Sequence, residues 1–419
     1  MRGSNNLNSE LDMQSQQYDV VIIGGGILGL STAMQLAQRY PSGKIAVVEK
    51  EPELASHQTG HNSGVIHSGI YYRPGSWKSR FCVAGVQKLV DFCDANEIEY
   101  DRCGKAIIAT EESELGRLQD LYERGVANGV QGLEIVGPER LSEIEPHAYG
   151  IKALWAPRTG IVDYVRVAKA YASRFQESGG EIYLGAGVSN IIPTAGIQEV
   201  QTDKGSILGR HIINCAGLYA DKVAGLMGEE TNLQIVPFRG EYYTLKPDSQ
   251  YLVKGLIYPV PDPRFPFLGV HYTRNIHGQV EAGPNAVLAW SREGYKKSDI
   301  RLRESLDMLR FPGFWKMSAK HWKTGISEMN RSYRKNVFVR DLQKLIPTIS
   351  GSDLDTGGSG VRAQAVAKDG SLSDDFNILQ GDIAVHVLNA PSPGATSSLA
   401  IGEYIVDLAI EAFSIVEDK

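Results

Sequence analysis

The spacing of apolar positions changes along the chain, and each change predicts an element. Residues 18–23 (Tyr18-Asp19-Val20-Val21-Ile22-Ile23) form a short β-branched run suited to a strand buried on both faces. Residues 30–39 lack Gly and Pro, and Leu30, Met34 and Ala37 recur at helical spacing. Residues 45–48 are a second apolar strand, ending on Glu49. Helical stripes are predicted over 76–96, with Ser76 as N-cap, over 111–128, and over 163–178, where Gly179-Gly180 stops the helix.

Strand-like runs occupy 105–110, 181–184, 187–192, 197–202 and 206–208, and 211–217 ends on small residues where a sheet edge can approach a ligand. From Val236 the runs become aromatic: 238–245, 256–260, 267–272 and 278–282 predict an antiparallel sheet, with turns at 261–263 and 275–278. Residues 299–345 are helical and basic. Residues 355–362 predict a glycine-rich turn that projects Arg362. A strand at 383–388 enters the small-residue loop of Pro393, Gly394, Ala395 and Thr396, and a helix covers 399–413.

Between the first strand and helix stand Gly24, Gly26 and Gly29 in G-x-G-x-x-G spacing, with Glu49 about 20 residues on. Gly24 permits the turn, Gly26 lets backbone approach a pyrophosphate, and Gly29 lets helix pack on sheet. The helix start favours an anion, and Glu49 suits ribose hydroxyls and disfavours NADP. Strand, glycines, helix, strand and acid in order predict a dinucleotide site. The stretch from His57 to Gly69 is rich in Gly and His. Its 57/61/67 histidine spacing fits no common metal pattern, and its glycines suit a backbone laid on a large flat ring.

A length of 419 residues predicts two domains. Net charge −6 argues against a general nucleic-acid binder. No run approaches the roughly 18 apolar residues of a membrane span. Residues 1–17 are polar and mixed in charge, as in a disordered tail or a cloning remnant. Four cysteines without C-x-x-C spacing predict structural thiols in a reducing compartment, and no metal site is expected.

The stretches His57–His67, Pro237–Tyr242, 261–271, 283–288 and 360–365 carry a more specific signal. Through them the chain resembles the FAD-dependent oxidoreductases of the D-amino-acid oxidase fold, and among those most resembles the L-2-hydroxyglutarate dehydrogenases (oxidases). The resemblance implies an α/β fold: a Rossmann-like FAD-binding domain (18–80, 151–232, 351–416) interleaved with a mixed or antiparallel-sheet substrate domain (81–150, 233–350). Implied FAD contacts are Gly24, Gly26, Ile27, Leu28, Gly29, Glu49, Lys50, His61, Asn62, Ser63, Gly64, Val188, Ala216, Gly217, Arg362 and Pro393 to Thr396.

The implied reaction takes a 2-hydroxy acid, a dicarboxylate, to a 2-oxo acid. Electrons pass to a quinone, another acceptor or oxygen. An amino-acid or amine oxidase of the same fold is the alternative, and an NAD-dependent dehydrogenase a more distant one. A cytoplasmic protein is implied, with peripheral contact to the inner membrane left open. Where glycerol-3-phosphate dehydrogenases carry His-Gly-Gly-x-Arg, this chain has His67-Ser68-Gly69-Ile70-Tyr71, and Tyr71 in place of Arg argues against a phosphate substrate.

Such a reaction needs a base for the hydroxyl proton and cations for the carboxylates. His271 is the first candidate base and His67 the second. Arg362 is the expected substrate clamp, with Arg239, Lys105, Tyr71 and Tyr258 as further substrate contacts.

Overall fold

Two sheets organise the chain, and neither is built from one continuous segment. The computed structural model describes residues 16–262 and 269–416, and within them the first sheet has eight strands. Its centre is parallel. Gln17–Ile23 lies between Ile45–Val48 and Gly205–Asn214, with Glu181–Tyr183 and Ala384–Asn389 next outward. Val20, Val21 and Ile22 have no exposed surface, as a doubly covered strand requires. Helices Ile27–Arg39, Trp77–Ala95, Tyr164–Glu177 and Ser398–Phe413 share one core with this sheet.

The predicted elements shift in instructive ways. The first helix begins at Ile27, three residues early, because Gly26 is an extended N-cap and the Ile27 N–H donates to Thr59 Oγ1 at 3.0 Å. A cap supplied by a distant loop leaves no local pattern. Ser76 is the cap expected, and Asp163, predicted as the first residue of its helix, is observed as that helix's cap; each accepts a backbone N–H from the following turn. The strands predicted at 206–208 and 211–217 are one strand, Gly205–Asn214. Gly209 in its middle is glycine because a Cβ there would stand 2.7 Å from Val21 Cγ2.

The second sheet has nine strands among the described residues, all antiparallel to their neighbours except Leu256–Pro259 beside Lys105–Ala109. It holds the aromatic strands predicted from the sequence. The one expected at 267–272 is observed as His271–Arg274, and residues 263–268 lie outside the described ones. The turn predicted at 355–362 is not found. Leu354–Ala367 is one long strand paired with Leu233–Leu245, with Arg362 opposite Phe238 and Gly360 opposite Gly240. A Cβ on Gly360 would stand 2.4 Å from the His61 carbonyl oxygen, so this glycine marks a close crossing.

The chain also crosses between the sheets more often than the sequence division has it. Lys152–Ala156 and Leu354–Ala367 fall in segments assigned to the FAD-binding domain, yet both are hydrogen-bonded into the second sheet. Trp77–Ala95, mostly in a substrate-domain segment, packs Phe81, Leu89 and Cys93 into the first core. No helix among the described residues is long and apolar enough to cross a membrane.

A buried ion pair joins the helix Ala220–Leu226 to the segment after the strand Val287–Leu288 of the second sheet. Arg292 Nη2 donates to Asp221 Oδ2 at 2.7 Å, both residues are buried, and Asp221 also accepts the Ile235 N–H at 3.1 Å. Removing one partner strands the other charge without solvent. Arg292→Leu should therefore lower unfolding free energy by about 3–5 kcal/mol, read as a fall in the urea midpoint.

Candidate active site

A cavity of about 1530 Å³ is lined by residues of both sheets. Gly24, Gly26, Ile27, Leu28, Glu49, Lys50, Val188, Ala216 and Gly217 line it, as do His61, Asn62, Ser63 and Pro393 to Thr396. His67, Tyr71, Tyr258, His271 and Arg362 line it too. Among the candidates drawn from the sequence, Gly29, Gly64, Lys105 and Arg239 do not.

The three glycines divide by cause. A Cβ on Gly29 would lie 2.0 Å from the Gly24 carbonyl oxygen, and one on Gly24 would lie 2.5 Å from that of Cys215. The fold demands both. A Cβ on Gly26 would meet only Thr59 Oγ1, at an ordinary 3.5 Å. The protein does not need that glycine for its own packing, and the space it leaves faces the cavity at a helix N-terminus. Gly64 has φ +67°, and a Cβ there would meet the Val162 carbonyl at 2.9 Å, so it shapes the loop.

Glu49 is oriented by the backbone: Gly25 N–H donates to Oε2 at 2.6 Å and Glu51 N–H to Oε1 at 2.9 Å. Its remaining lone pairs suit ribose hydroxyls. These features fit the adenosine diphosphate half of FAD: backbone donors, a vacant Gly26 position and a held carboxylate. Lys50 has a second role. Its Nζ lies 2.5 Å from Glu293 and 2.6 Å from His57 Nε2, and also bonds Glu51. Glu51, His57 and Glu293 could together hold a metal ion, but the Lys50 ammonium bonds all three and supplies the positive charge there.

The histidine loop is tied down by Thr396, whose Oγ1 accepts the His67 N–H at 3.1 Å and pairs with the Tyr164 hydroxyl at 2.8 Å. Its other end is clamped by Tyr295, whose ring stacks on His61 at 4.2 Å. Asn62 Nδ2 donates to the Thr59 carbonyl at 2.6 Å and completes the turn.

Positive charge and neutral imidazoles meet at the remaining lining. Lys105 is 1% exposed, and its Nζ lies 4.9 Å from the Tyr71 ring centre and 4.8 Å from that of Tyr258. It thus sits behind the lining, and its charge acts through two rings. Burial lowers its pKa to about 8. Tyr258 stacks on His271 at 3.9 Å. His271 Nδ1 lies 2.8 Å from the Gly269 carbonyl, which only an N–H can use, so Nε2 keeps its lone pair.

Burial first, then the Arg362 and Lys105 charges, lower the His271 pKa to about 3. His67 is lowered to about 3 by burial and then by Lys105 and His271. Both rings are neutral at ordinary pH. His67 Nδ1 and the Tyr71 hydroxyl are buried without a hydrogen-bond partner, an arrangement suited to a polar ligand.

Arg239 is a correction. Its guanidinium is buried against Glu241, at 3.1 and 3.0 Å, and against the Gly294 and Lys296 carbonyls, so it anchors the loop carrying Tyr295 and does not reach the cavity. Sequence reasoning also missed Thr59, Tyr164 and Tyr242. Tyr242 lines the cavity and feels the Arg362 charge. Strand register alone could have located it.

A family model described as "FAD dependent oxidoreductase" matches residues 19–408. A protein of Indibacter alkaliphilus named L-2-hydroxyglutarate dehydrogenase is 50% identical over 397 residues, 94% of this chain and 100% of that protein. The human protein named L-2-hydroxyglutarate dehydrogenase, mitochondrial, is 46% identical over 418 residues, 96% of this chain and 90% of that one. Among solved structures, L-alpha-glycerophosphate oxidase of Mycoplasma pneumoniae with FAD bound superposes with TM-score 0.77 at 22% identity, covering 96% of each chain. Glycine oxidase of Geobacillus kaustophilus gives 0.70 at 16%, covering 96% of this chain and 97% of that one. These likenesses show the D-amino-acid oxidase type of fold. With a dinucleotide cradle shaped by Gly26 and Glu49 and a family match over nearly the whole chain, the protein belongs to the FAD dependent oxidoreductase family.

Proposed function

We propose that this enzyme oxidises L-2-hydroxyglutarate to 2-oxoglutarate. The observation that carries the reading is a chamber in which two neutral histidines face buried positive charge. Relatives of 45–50% identity over nearly the full chain, each named L-2-hydroxyglutarate dehydrogenase, supply the substrate.

FAD, when bound, supplies the oxidant that takes the α-hydrogen as hydride. Gly24, Gly26, Glu49, Gly217 and the loop of Pro393 to Thr396 would hold it. The chain's own residues do the rest. Arg362 holds one carboxylate with its planar fork. The Lys105 field, passed through Tyr71 and Tyr258, offsets the second carboxylate without a direct contact. His271 Nε2 takes the hydroxyl proton, and its ring is kept in one tautomer by the Gly269 carbonyl and in one plane by Tyr258. A basicity as low as that of the empty site suits poorly, but an anionic substrate beside the ring raises it toward neutrality. An amine substrate, which can enter as the neutral base, would have less use for this histidine. The electrons then leave to a quinone or other carrier, or to oxygen.

Gly26→Val should give folded but colourless protein, because the new side chain fits the apoprotein and fills the diphosphate position. Gly29→Val should fail to fold, because its Cβ meets backbone. Absorbance near the flavin bands and far-ultraviolet circular dichroism separate the two outcomes.

Arg362 is exposed in the open cavity, so Arg362→Ala should leave FAD bound and weaken turnover by roughly ten-fold to a hundred-fold, the loss of about 1.5–3 kcal/mol expected for a hydrogen bond to a charged group. His271→Ala should slow single-turnover flavin reduction and abolish its acid limb. A variant of either kind with wild-type rates and pH profile refutes the assignment.

Lys105 is charged below its pKa of about 8 and loses that charge as pH rises through it. Dicarboxylate affinity should therefore be highest below pH 8 and fall above it. The loss should be roughly tenfold, as for a charge acting through space with about 1–2 kcal/mol. In Lys105→Met the Michaelis constant should be high and flat with pH, and in Lys105→Arg the alkaline rise should disappear.

A further inference from the structure

The segment between strand Val287–Leu288 and helix Leu302–Arg310 carries two side chains that the reaction does not use, Glu293 and Tyr295. Its backbone is fixed at almost every residue around them. The Arg292 N–H donates to Glu304 Oε2 at 2.7 Å, and Arg239 Nη1 donates to the Gly294 and Lys296 carbonyls at 3.3 and 3.1 Å. Ser359 Oγ donates to the Tyr295 carbonyl at 2.6 Å, and the Lys296 N–H to Asp299 Oδ2 at 2.7 Å. Glu293 and Tyr295 therefore project from a rigid base tied to the second sheet.

Both side chains cross to the cofactor cradle. Glu293 lines the cavity, has a side chain 13% exposed, and lies 2.5 Å from the Nζ of Lys50, the residue after the carboxylate that suits the ribose. The Tyr295 hydroxyl lies 3.0 Å from His57 Nδ1, and its ring stacks on His61 with centres 4.2 Å apart. His61 Nδ1 adds a contact of 3.0 Å to the Ser359 carbonyl, again on the second sheet. The turn 57–62 that receives these contacts lines the cavity, and Gly60, His61 and Asn62 in it are exposed. It has little else to hold it. Among the described residues, Gln58 to Asn62 reach the helices of the first sheet through one hydrogen bond, from the Ile27 N–H to Thr59 Oγ1. Their other bonds, that to Ser359 aside, stay within the loop.

A ligand as large as FAD enters or leaves a closed cradle only when part of the wall gives way, and the part with the fewest attachments gives way first. Here that part is the turn 57–62, and what fastens it comes from the other sheet. We propose that Glu293 and Tyr295 are cofactor-retention residues: they fasten Lys50 and the turn 57–62 beside bound FAD, and the cofactor leaves only when the contacts of Glu293 with Lys50 and of Tyr295 with His57 and His61 open. Their contribution to affinity therefore lies in the release rate. The proposal rests on the FAD cradle and is independent of which hydroxy acid is oxidised.

The test is the exchange of bound FAD for radiolabelled FAD supplied in excess to the loaded enzyme, with no substrate present. Glu293→Gln keeps the shape of the side chain and removes the ion pair, so exchange should be about fivefold faster. Tyr295→Ala removes both the bond to His57 and the stack on His61, and exchange should be about thirtyfold faster. Tyr295→Phe, which keeps the ring, should return the rate toward wild type. Raised salt should quicken exchange more in the wild type than in Glu293→Gln, because only the wild type has the pair to screen. Leu342→Ala, a cavity in the separate core of the second sheet, is the control: it should lower the urea midpoint without quickening exchange. Exchange at the wild-type rate in Glu293→Gln or Tyr295→Ala would overturn the proposal, as would an equal salt response in wild type and Glu293→Gln. So would exchange in Leu342→Ala as fast as in Tyr295→Ala, since the rate would then report overall stability. An assay without substrate stands apart from the L-2-hydroxyglutarate assignment, which the turnover measurements test.

Discussion

The pairing of Leu233–Leu245 with Leu354–Ala367 constrains everything around the chamber. It sets Gly240 against Gly360, and both glycines are needed. A side chain on Gly360 would run into the His61 carbonyl, and one on Gly240 would stand 2.9 Å from Pro284. The ribbon is thin at this point, so the histidine loop and the Pro284 segment can close on it. Two residues farther along the same strand, Arg362 reaches the cavity. A register slip of one residue would place a side chain at the crossing and turn Arg362 to the opposite face.

The electrostatics follow from what is held there. The Lys105 ammonium has no hydrogen-bond partner among the described residues. Its partners are the faces of Tyr71 and Tyr258, which compensate an ammonium only in part. An uncompensated cation in a closed site favours whichever ligand brings negative charge, and it keeps neighbouring imidazoles neutral until that ligand arrives. Charge recognition and control of the base are therefore one device. The two rings that carry the field also hold the geometry, since Tyr258 is stacked on His271.

Much of this was legible in the sequence where the signal is local. The glycine triplet, Glu49, the Ser76 cap and the last strand–loop–helix unit all stand where the pattern put them, because each depends on neighbours within a few residues. Misreadings came where the cause lies far along the chain. The glycines at 357–360 look like a turn, yet at Gly357 and Gly360 a side chain would run into the Tyr242 and His61 carbonyl oxygens. Arg239 and Arg362 look alike as arginines in aromatic or glycine-rich runs. Only their surroundings distinguish the one anchoring a loop from the one lining the cavity. The role of Thr59 as cap of a helix thirty-two residues earlier has no sequence signature at all.

The interleaving of the two sheets also bears on how the chain is made. Gln17–Ile23 emerges early, but its second neighbour, Gly205–Asn214, follows almost half the chain later, and the loop of Pro393 to Thr396 that completes the cavity is nearly last. During synthesis the apolar first strand has one flank without its partner for most of that time, so its protection falls to chaperones or to partial collapse. The cradle begins with Gly24, Gly26 and Glu49, but its lining is complete only once the loop of Pro393 to Thr396 is in place. Complete FAD loading is therefore expected to follow the placement of that loop, and the chain without cofactor to be nearly folded already.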